Sequence, residues 1–270
     1  MIRTPLMNVM TAAAIKAGKS LKRDFAELPS LTISRKGPGD FVSEADKKAE
    51  RILFQELSKA RPGYGFLMEE EGVVEGTDKS HRFLIDPLDG TTNFLHAIPQ
   101  FSISIGLERD DEVVAGLVYN PISEEMFIAE KGMGAFVIGA TGRDNYRLRV
   151  SPRTDFADSV IGCGVPHAGR GDHGQFIREL AGVMPRCSGV RRLGSAALDL
   201  AFVAAGRMEG FWERNLSPWD IAAGIILVRE SGGYVTAPDG SSKIFESRAI
   251  IAGNEVAHGT LMKIIAGANG

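Results

Sequence analysis

The hydrophobic positions along this 270-residue chain follow two different periods. Apolar residues recur at helical spacing in residues 6–28 and 47–60, which predicts two helices. Beyond residue 100, short apolar runs alternate with polar positions between turn residues, which predicts an antiparallel meander. The runs of this meander are residues 101–107, 113–119, 126–129 and 135–138.

After Arg149 the pattern changes to strand-like and helix-like runs that follow one another. The predicted strands are 160–162, 210–212, 234–235 and 249–252, and the predicted helices are 175–183, 194–205, 221–230 and 255–265. We therefore expect two sheet-containing halves, residues 1–145 and 146–270, with the junction at 142–147.

Candidate chemistry is concentrated in residues 86–94, which read Asp-Pro-Leu-Asp-Gly-Thr-Thr-Asn-Phe. The preceding residues 82–85 form a short apolar run, so we expect a buried strand that ends at Asp86. Pro87 fixes its own φ and is expected to force the chain out of that strand.

The resulting turn would bring the Asp86 carboxylate, the Leu88 carbonyl and the Asp89 carboxylate together as oxygen ligands for a cation. Gly90 allows close backbone approach, and N–H groups of the following helix would face an anion held by the metal. The alternative is a turn that ends in an Asp N-cap. That alternative needs one Asp, whereas a second acid at the end of a buried strand is costly without a cation.

Further acids lie near other predicted element ends. The run Glu69-Glu70-Glu71 follows the apolar run 64–68, although a solvated loop explains its second and third residues better. Asp220 lies in the first turn of a predicted helix, so it is either a cap or a ligand. Asp46 completes a capping-box pattern with Ser43 and is open to the same two interpretations.

Three of these segments resemble the signature blocks of the inositol monophosphatase family, the lithium-sensitive, magnesium-dependent phosphatases. The blocks are Glu69-Glu70, residues 86–93 and residues 219–224, and they occur in the order and at the separation typical of that family. Between them, residues 191–200 and Phe211-Trp212-Glu213 resemble the stretch that leads to the substrate-binding glutamate of bacterial members.

The resemblance implies that two or three Mg²⁺ ions are held by five ligands, Glu69, Asp86, the Leu88 carbonyl, Asp89 and Asp220, with Asp86 bridging. It implies that backbone N–H groups of Gly90 and Thr91 bind the phosphate. Thr91, paired with Asp46, would position the attacking water together with Glu69, which would deprotonate it.

The resemblance also implies that Ala196 and Glu213 contact the hydroxyl groups of a cyclitol or sugar. The implied fold is α+β, a layered α-β-α-β-α sandwich of the sugar-phosphatase type with the site between its halves, and the implied assembly is a homodimer. Met68 and Glu71 depart from the family, which usually has Gly and Ser there. We therefore expect a differently placed Glu loop, in which Glu70 is an alternative ligand.

Metal-assisted hydrolysis agrees with the chemistry of the residues. A phosphate monoester is a dianion that hydrolyses extremely slowly without a catalyst, and two metal ions can activate water and stabilise the leaving group. The sequence contains no G-x-S-x-G and no H-E-x-x-H, and its five histidines show no metal-ligand spacing. Of these histidines, His96 and His167 are candidates to line the site.

Composition indicates an ordinary globular protein, with 44% hydrophobic residues, a net charge of −3 and a pI near 6.0. This charge argues against a dedicated nucleic-acid binder. The chain has two cysteines, Cys163 and Cys187, and neither their spacing nor their context requires a disulfide, which favours a reduced, cytoplasmic protein. The N-terminus lacks a signal-peptide core, and the longest strongly apolar stretch, 221–228, is too short to span a bilayer.

Three functions are compatible with the sequence. The first is Mg²⁺-dependent hydrolysis of myo-inositol 1-phosphate, which Ala196 and Glu213 favour. The second is the same chemistry on fructose 1,6-bisphosphate, histidinol phosphate or adenosine 3′,5′-bisphosphate. The third, which the resemblance suggests and no sequence feature supports, is a non-catalytic role that binds RNA polymerase or RNA.

Overall fold

A computed structural model describes residues 4–28, 33–37, 40–139 and 145–268. The helices are α1 (Pro5–Ala26), α2 (Glu44–Ala60), α3 (Thr91–Leu95), α4 (His173–Val183), α5 (Ala196–Ala204), α6 (Pro218–Glu230), α7 (Ile244–Ser247) and α8 (Glu255–Gly267). The strands of the first part are β1 (Ile33–Gly37), β2 (Asp40–Ser43), β3 (Gly65–Met68), β4 (Gly72–Val74), β5 (His81–Asp89), β6 (Ser102–Arg109), β7 (Glu112–Asn120), β8 (Glu125–Glu130), β9 (Gly134–Ile138) and β10 (Tyr146–Arg147). The remaining strands are β11 (Val160–Cys163), β12 (Gly189–Arg191), β13 (Gly210–Arg214), β14 (Tyr234–Thr236) and β15 (Ala249–Gly253).

Two sheets organise the described residues. The larger has eight strands in the order β10-β9-β8-β7-β6-β5-β3-β4, and the smaller has five in the order β12-β11-β13-β15-β14. Strands β6 to β9 are successive antiparallel neighbours, which confirms the predicted meander. Strand β3 runs parallel to β5, and β1 pairs with β2 alone.

Helices and sheets alternate in layers. Helices α1 and α2 share a core with one face of the larger sheet. Helices α5 and α6 share a core with residues of both sheets and lie between them. Helices α4 and α8 share a third core with the smaller sheet. The order is therefore α-β-α-β-α, which confirms the predicted fold class.

The central helix α6 is apolar on all sides, and residues 221–228 are all buried. Such a helix is stable only when apolar surfaces enclose it. Two glycines of the larger sheet allow α6 to pack closely against it. A Cβ added at Gly106 would lie 2.6 Å from Ala222 Cβ, and one at Gly116 would lie 2.7 Å from the Ala223 carbonyl oxygen, which is too close for any side chain. The predicted helix 221–230 is thus confirmed, and its position between the sheets follows from its composition.

The boundary between the two predicted halves stays a prediction. Strands up to Arg147 join the larger sheet, and strands from Val160 join the smaller one. Residues 142–144 of the expected junction lie outside the described part of the chain. No helix within the described ranges is both long enough and apolar enough to cross a membrane.

Candidate active site

The predicted end of β5 at Asp86 is wrong, because the strand continues to Asp89. Asp86 pairs with Ser104 and Asp89 with Ser102, so the residues between the two acids form a bulge against β6. Pro87 lacks an N–H group, and a bulge is a place in a sheet where that lack is tolerated. The bulge, and not an exit from the strand, re-aims the side chains of Asp86 and Asp89.

Glu69 lies beside Asp86 because β3 and β5 are parallel neighbours. Parallel strands end at the same edge of a sheet, and the Glu69 N–H donates to the Ile85 carbonyl at 3.2 Å. Burial raises the pKa of Asp86, and the Glu69 carboxylate lies close enough to Asp86 to raise that pKa further by repulsion. The structure thus brings together two acids that lie 17 positions apart in the chain.

Gly90 has the backbone conformation that the sequence suggested. Its φ is 100°, and an added Cβ would lie 3.1 Å from the carbonyl oxygens of Gln100 and Gly194. Gly90 is the N-cap of α3, a helix of five residues. The first N–H groups of any helix have no partner within it, so those of α3 are available to an acceptor in the cleft.

Thr91 and Asp46 are paired as expected. The Thr91 Oγ1 atom lies 3.1 Å from Asp46 Oδ1 and 3.1 Å from the Leu88 carbonyl oxygen, so its single proton has two acceptors. Asp46 is buried, at 1% exposure. The side chain of Ser43, the expected capping-box partner of Asp46, lies outside the described residues.

Asp89 connects β5 to the start of α5. Its Oδ2 accepts the Ser195 hydroxyl at 2.6 Å and the Ala197 N–H at 2.8 Å, and Oδ1 accepts the Ala196 N–H at 3.3 Å. A carboxylate at a helix N-terminus is stabilised by the free N–H groups and by the helix dipole. These contacts orient Asp89 and place Ala196 at the cleft.

Asp220 is both a helix cap and a cleft residue. Its Oδ2 accepts the Ser217 N–H at 2.7 Å, and Ser217 and Asp220 form a capping box at the start of α6. Its carboxylate also borders the same cleft as Glu69, Asp86 and Asp89. The two readings of Asp220 are therefore compatible in one geometry.

The cleft continues to Glu213 at the end of β13. Glu213 and Ala196 line the same cleft as the acids of β5, and a Cβ added at Gly164 would lie 1.9 Å from the Glu213 carboxyl carbon. Only a glycine at 164 leaves space for this side chain. Of the two histidines suggested, His167 lines the cleft and His96 is not among its lining residues.

The acids perturb one another. Burial, followed by repulsion from Glu69 and Asp89, raises the pKa of Asp86 well above its usual range. Burial raises the pKa of Asp89 to about 6, although the Ser195 hydroxyl opposes the shift. Burial raises the pKa of Asp220 to about 7 against the Ser217 hydrogen bond. Burial, then repulsion from Asp220, raises that of Glu213 to about 8.

The oxygen atoms that border the cleft are of the type that hard divalent cations prefer as ligands. Four carboxylates and the Leu88 carbonyl border one cleft, and Mg²⁺ prefers such oxygen ligands. No three His, Cys, Asp or Glu side chains in the described ranges already form a coordination sphere.

The sequence analysis did not assign six charged residues of the cleft lining to the site. They are Arg170, Asp172, Glu179, Arg192, Asp199 and Arg214. Asp199 is 1% exposed, and its Oδ1 has no hydrogen-bond partner among the described residues. Arg192 and Asp199 lie in the stretch 191–200 that resembles bacterial family members, but that resemblance gave neither of them a role. Ser195, the N-cap of α5, is recognisable from its residue type as a helix start.

Fold and cleft together define a phosphatase of the layered α+β class. The chain matches the model of the inositol monophosphatase family over residues 3–268. It is 59% identical over 265 residues to the inositol-1-monophosphatase of Mesorhizobium japonicum, covering 98% of this chain and 97% of that protein. It is 39% identical over 250 residues to the Nus factor SuhB of Escherichia coli strain K12, covering 93% and 91%.

Among solved structures, the extragenic suppressor protein SuhB from Bartonella henselae resembles the chain with a TM-score of 0.92 and 55% identity, over 97% of this chain and 98% of that one. The chain belongs to the inositol monophosphatase family. The family resemblance noted in the sequence is thereby confirmed, and so is its implication that the protein is a phosphatase.

Proposed function

We propose that the protein hydrolyses myo-inositol 1-phosphate to myo-inositol and phosphate with Mg²⁺. The observation that carries the proposal is the convergence of Glu69, Asp86, Asp89 and Asp220 on one cleft that extends to Glu213. The relative from Mesorhizobium japonicum, named inositol-1-monophosphatase, supports the choice of substrate.

The family is metal-dependent, and the number and identity of the ions are part of the proposal. Glu69, Asp86, the Leu88 carbonyl, Asp89 and Asp220, which all border the cleft, would hold two or three Mg²⁺ ions. When bound, these ions supply positive charge for the phosphate and its leaving group and make water a better nucleophile.

Thr91 and Asp46 would orient the attacking water. With the Thr91 hydroxyl donating to Asp46 at 3.1 Å, the Thr91 oxygen keeps a lone pair that can accept a hydrogen bond from water. Glu69 would act as the general base and take the one proton that this water loses when it attacks. The aligned water attacks phosphorus directly, so no covalent intermediate is needed.

The phosphate would lie against the backbone N–H groups of Gly90 and Thr91. The positive φ of Gly90 opens the start of α3 to the cleft, and uncapped N–H groups there favour an anion. On the opposite side, Glu213 would accept hydrogen bonds from the hydroxyls of inositol, next to the backbone of Ala196.

A panel of phosphate esters tests substrate and metal together. Phosphate release from inositol 1-phosphate is compared with release from fructose 1,6-bisphosphate, histidinol phosphate and adenosine 3′,5′-bisphosphate, each with Mg²⁺ and with excess chelator. We expect inositol 1-phosphate to be hydrolysed fastest, only with Mg²⁺, and Li⁺ to inhibit. A faster rate on another ester would identify that ester as the substrate, and full activity in chelator would refute the metal mechanism.

A second role is suggested by the relatives that are named Nus factor SuhB. Because the Escherichia coli relative is named a Nus factor, we also propose a test for contact with transcription machinery, by pull-down of RNA polymerase from extract.

The family expectation of a homodimer is tested by light scattering. A reducing, cytoplasmic location agrees with Cys163 and Cys187, which are both free thiols.

A further inference from the structure

Helix α2 presents two buried carboxylates on one face. Asp46 and Glu50 are each 1% exposed, and residues four positions apart on a helix are neighbours on its surface. Asp46 contacts Thr91 at the start of α3. Glu50 contacts a different segment and has no part in the chemistry described above.

Glu50 holds the loop that follows β3. Its Oε2 accepts the Glu70 N–H at 2.9 Å, and its Oε1 accepts the Glu71 N–H at 2.9 Å. Both oxygens of one carboxylate are therefore used on consecutive backbone groups. Hydrogen bonds to an ionised acceptor are about twice as strong as neutral ones, so this double contact fixes the loop firmly.

Apart from these two hydrogen bonds, the surroundings of Glu50 disfavour its charged form. Burial raises the pKa of Glu50, and the charges of Glu70 and Glu71 add to that rise. An apolar residue would pack here without such a penalty. A charged side chain that is buried where an apolar one would pack better is typical of a functional position.

We propose that Glu50 is a positioning residue for Glu69, acting through the two N–H groups that follow it. With these N–H groups held, the backbone that carries Glu69 stays beside the end of β5, where the Glu69 N–H donates to the Ile85 carbonyl at 3.2 Å. Asp46, on the same helix face, holds Thr91. Helix α2 thus sets the distance between Glu69 and Thr91, an inference that rests on the roles proposed for those two residues.

The same contact explains how the loop accommodates its departures from the family. Met68 is 2% exposed and packs in the core shared with α1 and α2. Glu71 contributes its N–H to the contact with Glu50, and its side chain is exposed. Because Glu50 binds the N–H group of Glu71 and not its side chain, the side chain at position 71 is free to differ, whereas Met68 is accommodated by the apolar core.

The variant Glu50→Gln tests the proposal. Gln keeps the shape but has one acceptor oxygen, so its NH₂ group would face one of the two N–H donors. If the loop then holds Glu69 in its binding position in only a fraction of the molecules, the apparent Mg²⁺ affinity is reduced to that fraction of its wild-type value. We expect the Mg²⁺ dissociation constant, measured by calorimetry, to rise about ten- to a hundredfold. Turnover should fall at low Mg²⁺ and recover at high Mg²⁺.

Glu209→Gln is the matched control. Glu209 is also 1% exposed, and its Oε2 accepts the Val160 N–H at 2.6 Å while Oε1 pairs with Arg153. It lies outside the cleft lining. This variant should lose a similar amount of thermal stability and keep the wild-type Mg²⁺ affinity.

Glu50→Asp is the second variant, because its shorter side chain keeps the charge but cannot reach both N–H groups. Weakened Mg²⁺ binding in every Glu50 variant that folds, with rescue at high Mg²⁺, supports the proposal. Wild-type Mg²⁺ affinity in a folded variant overturns it, and so does failure of both variants to fold, since the role would then be structural. If the wild type binds Mg²⁺ but hydrolyses no ester, the proposed function fails and the calorimetry still decides the role of Glu50.

Discussion

Replacing Asp220 by Asn separates its charge from its role as a helix cap. Asn can still accept the Ser217 N–H that Asp220 accepts at 2.7 Å, and Asn caps helices well. The charge is what the variant removes. Burial raises the pKa of Asp220 from 3.8 to about 7, which means that the ionised form is unfavourable in the folded protein without a cation.

The change in the free energy of unfolding that Asp220→Asn should cause follows from this pKa shift. Between about pH 4 and pH 7 the folded protein keeps a proton that the unfolded chain has released, so stability is fully present below pH 4 and is lost as the pH rises through 7. A shift of about three units corresponds to about 4 kcal/mol at pH 8. Subtracting about 1 kcal/mol for a weaker cap leaves a gain of about 3 kcal/mol for Asp220→Asn. At pH 5 the gain falls below about 1 kcal/mol.

The assay is thermal unfolding of both proteins in chelator at pH 5 and pH 8. We expect Asp220→Asn to melt several degrees above the wild type at pH 8, with a smaller difference at pH 5. With Mg²⁺ the order should reverse, because ligand binding stabilises only the protein that binds it well. Turnover should collapse. An active variant that is less stable than the wild type by the same amount at both pH values would show that Asp220 is a cap and nothing more.

Three further substitutions test other parts of the cleft. Glu213→Gln should lower kcat/KM for inositol 1-phosphate about ten- to a hundredfold and barely change it for an aryl phosphate. The reason is that bound Mg²⁺ offsets the charges of Asp220 and Asp89, which add to burial in raising the pKa of Glu213, so Glu213 is ionised and the variant loses a charge-assisted hydrogen bond to the leaving alcohol. Equal losses would assign Glu213 to the metal site or the fold. Thr91→Val should lower kcat with little change in Mg²⁺ affinity by calorimetry, since the hydroxyl 3.1 Å from Asp46 is lost; unchanged kcat would exclude Thr91 from water positioning. Gly90→Ala should lower both melting temperature and phosphate affinity, because a Cβ would lie 3.1 Å from two carbonyl oxygens at a φ of 100°; a wild-type melting temperature would contradict that strain.

The sequence by itself determined most elements and the identity of the acids. Helix α6 was recognisable from its start signals and its apolar run, and the meander from its alternation and turns. These features depend on neighbours a few positions away, so a local pattern carries them. The acids were identified as metal ligand candidates because several carboxylates near element ends need a cation to offset their charge. The family blocks then indicated the reaction.

Only the tertiary structure decided how those acids meet. The continuation of β5 past Pro87 depends on its pairing with β6, which no local rule for proline predicts. The contact of Glu69 with Asp86 requires β3 to lie parallel to β5, and the grip of Glu50 on the loop after β3 requires α2 to pack beside it. Asp220 is cap and cleft residue at once because α6 is enclosed between two sheets. Such contacts join residues far apart in the chain, and their free energies depend on packing that periodicity does not encode.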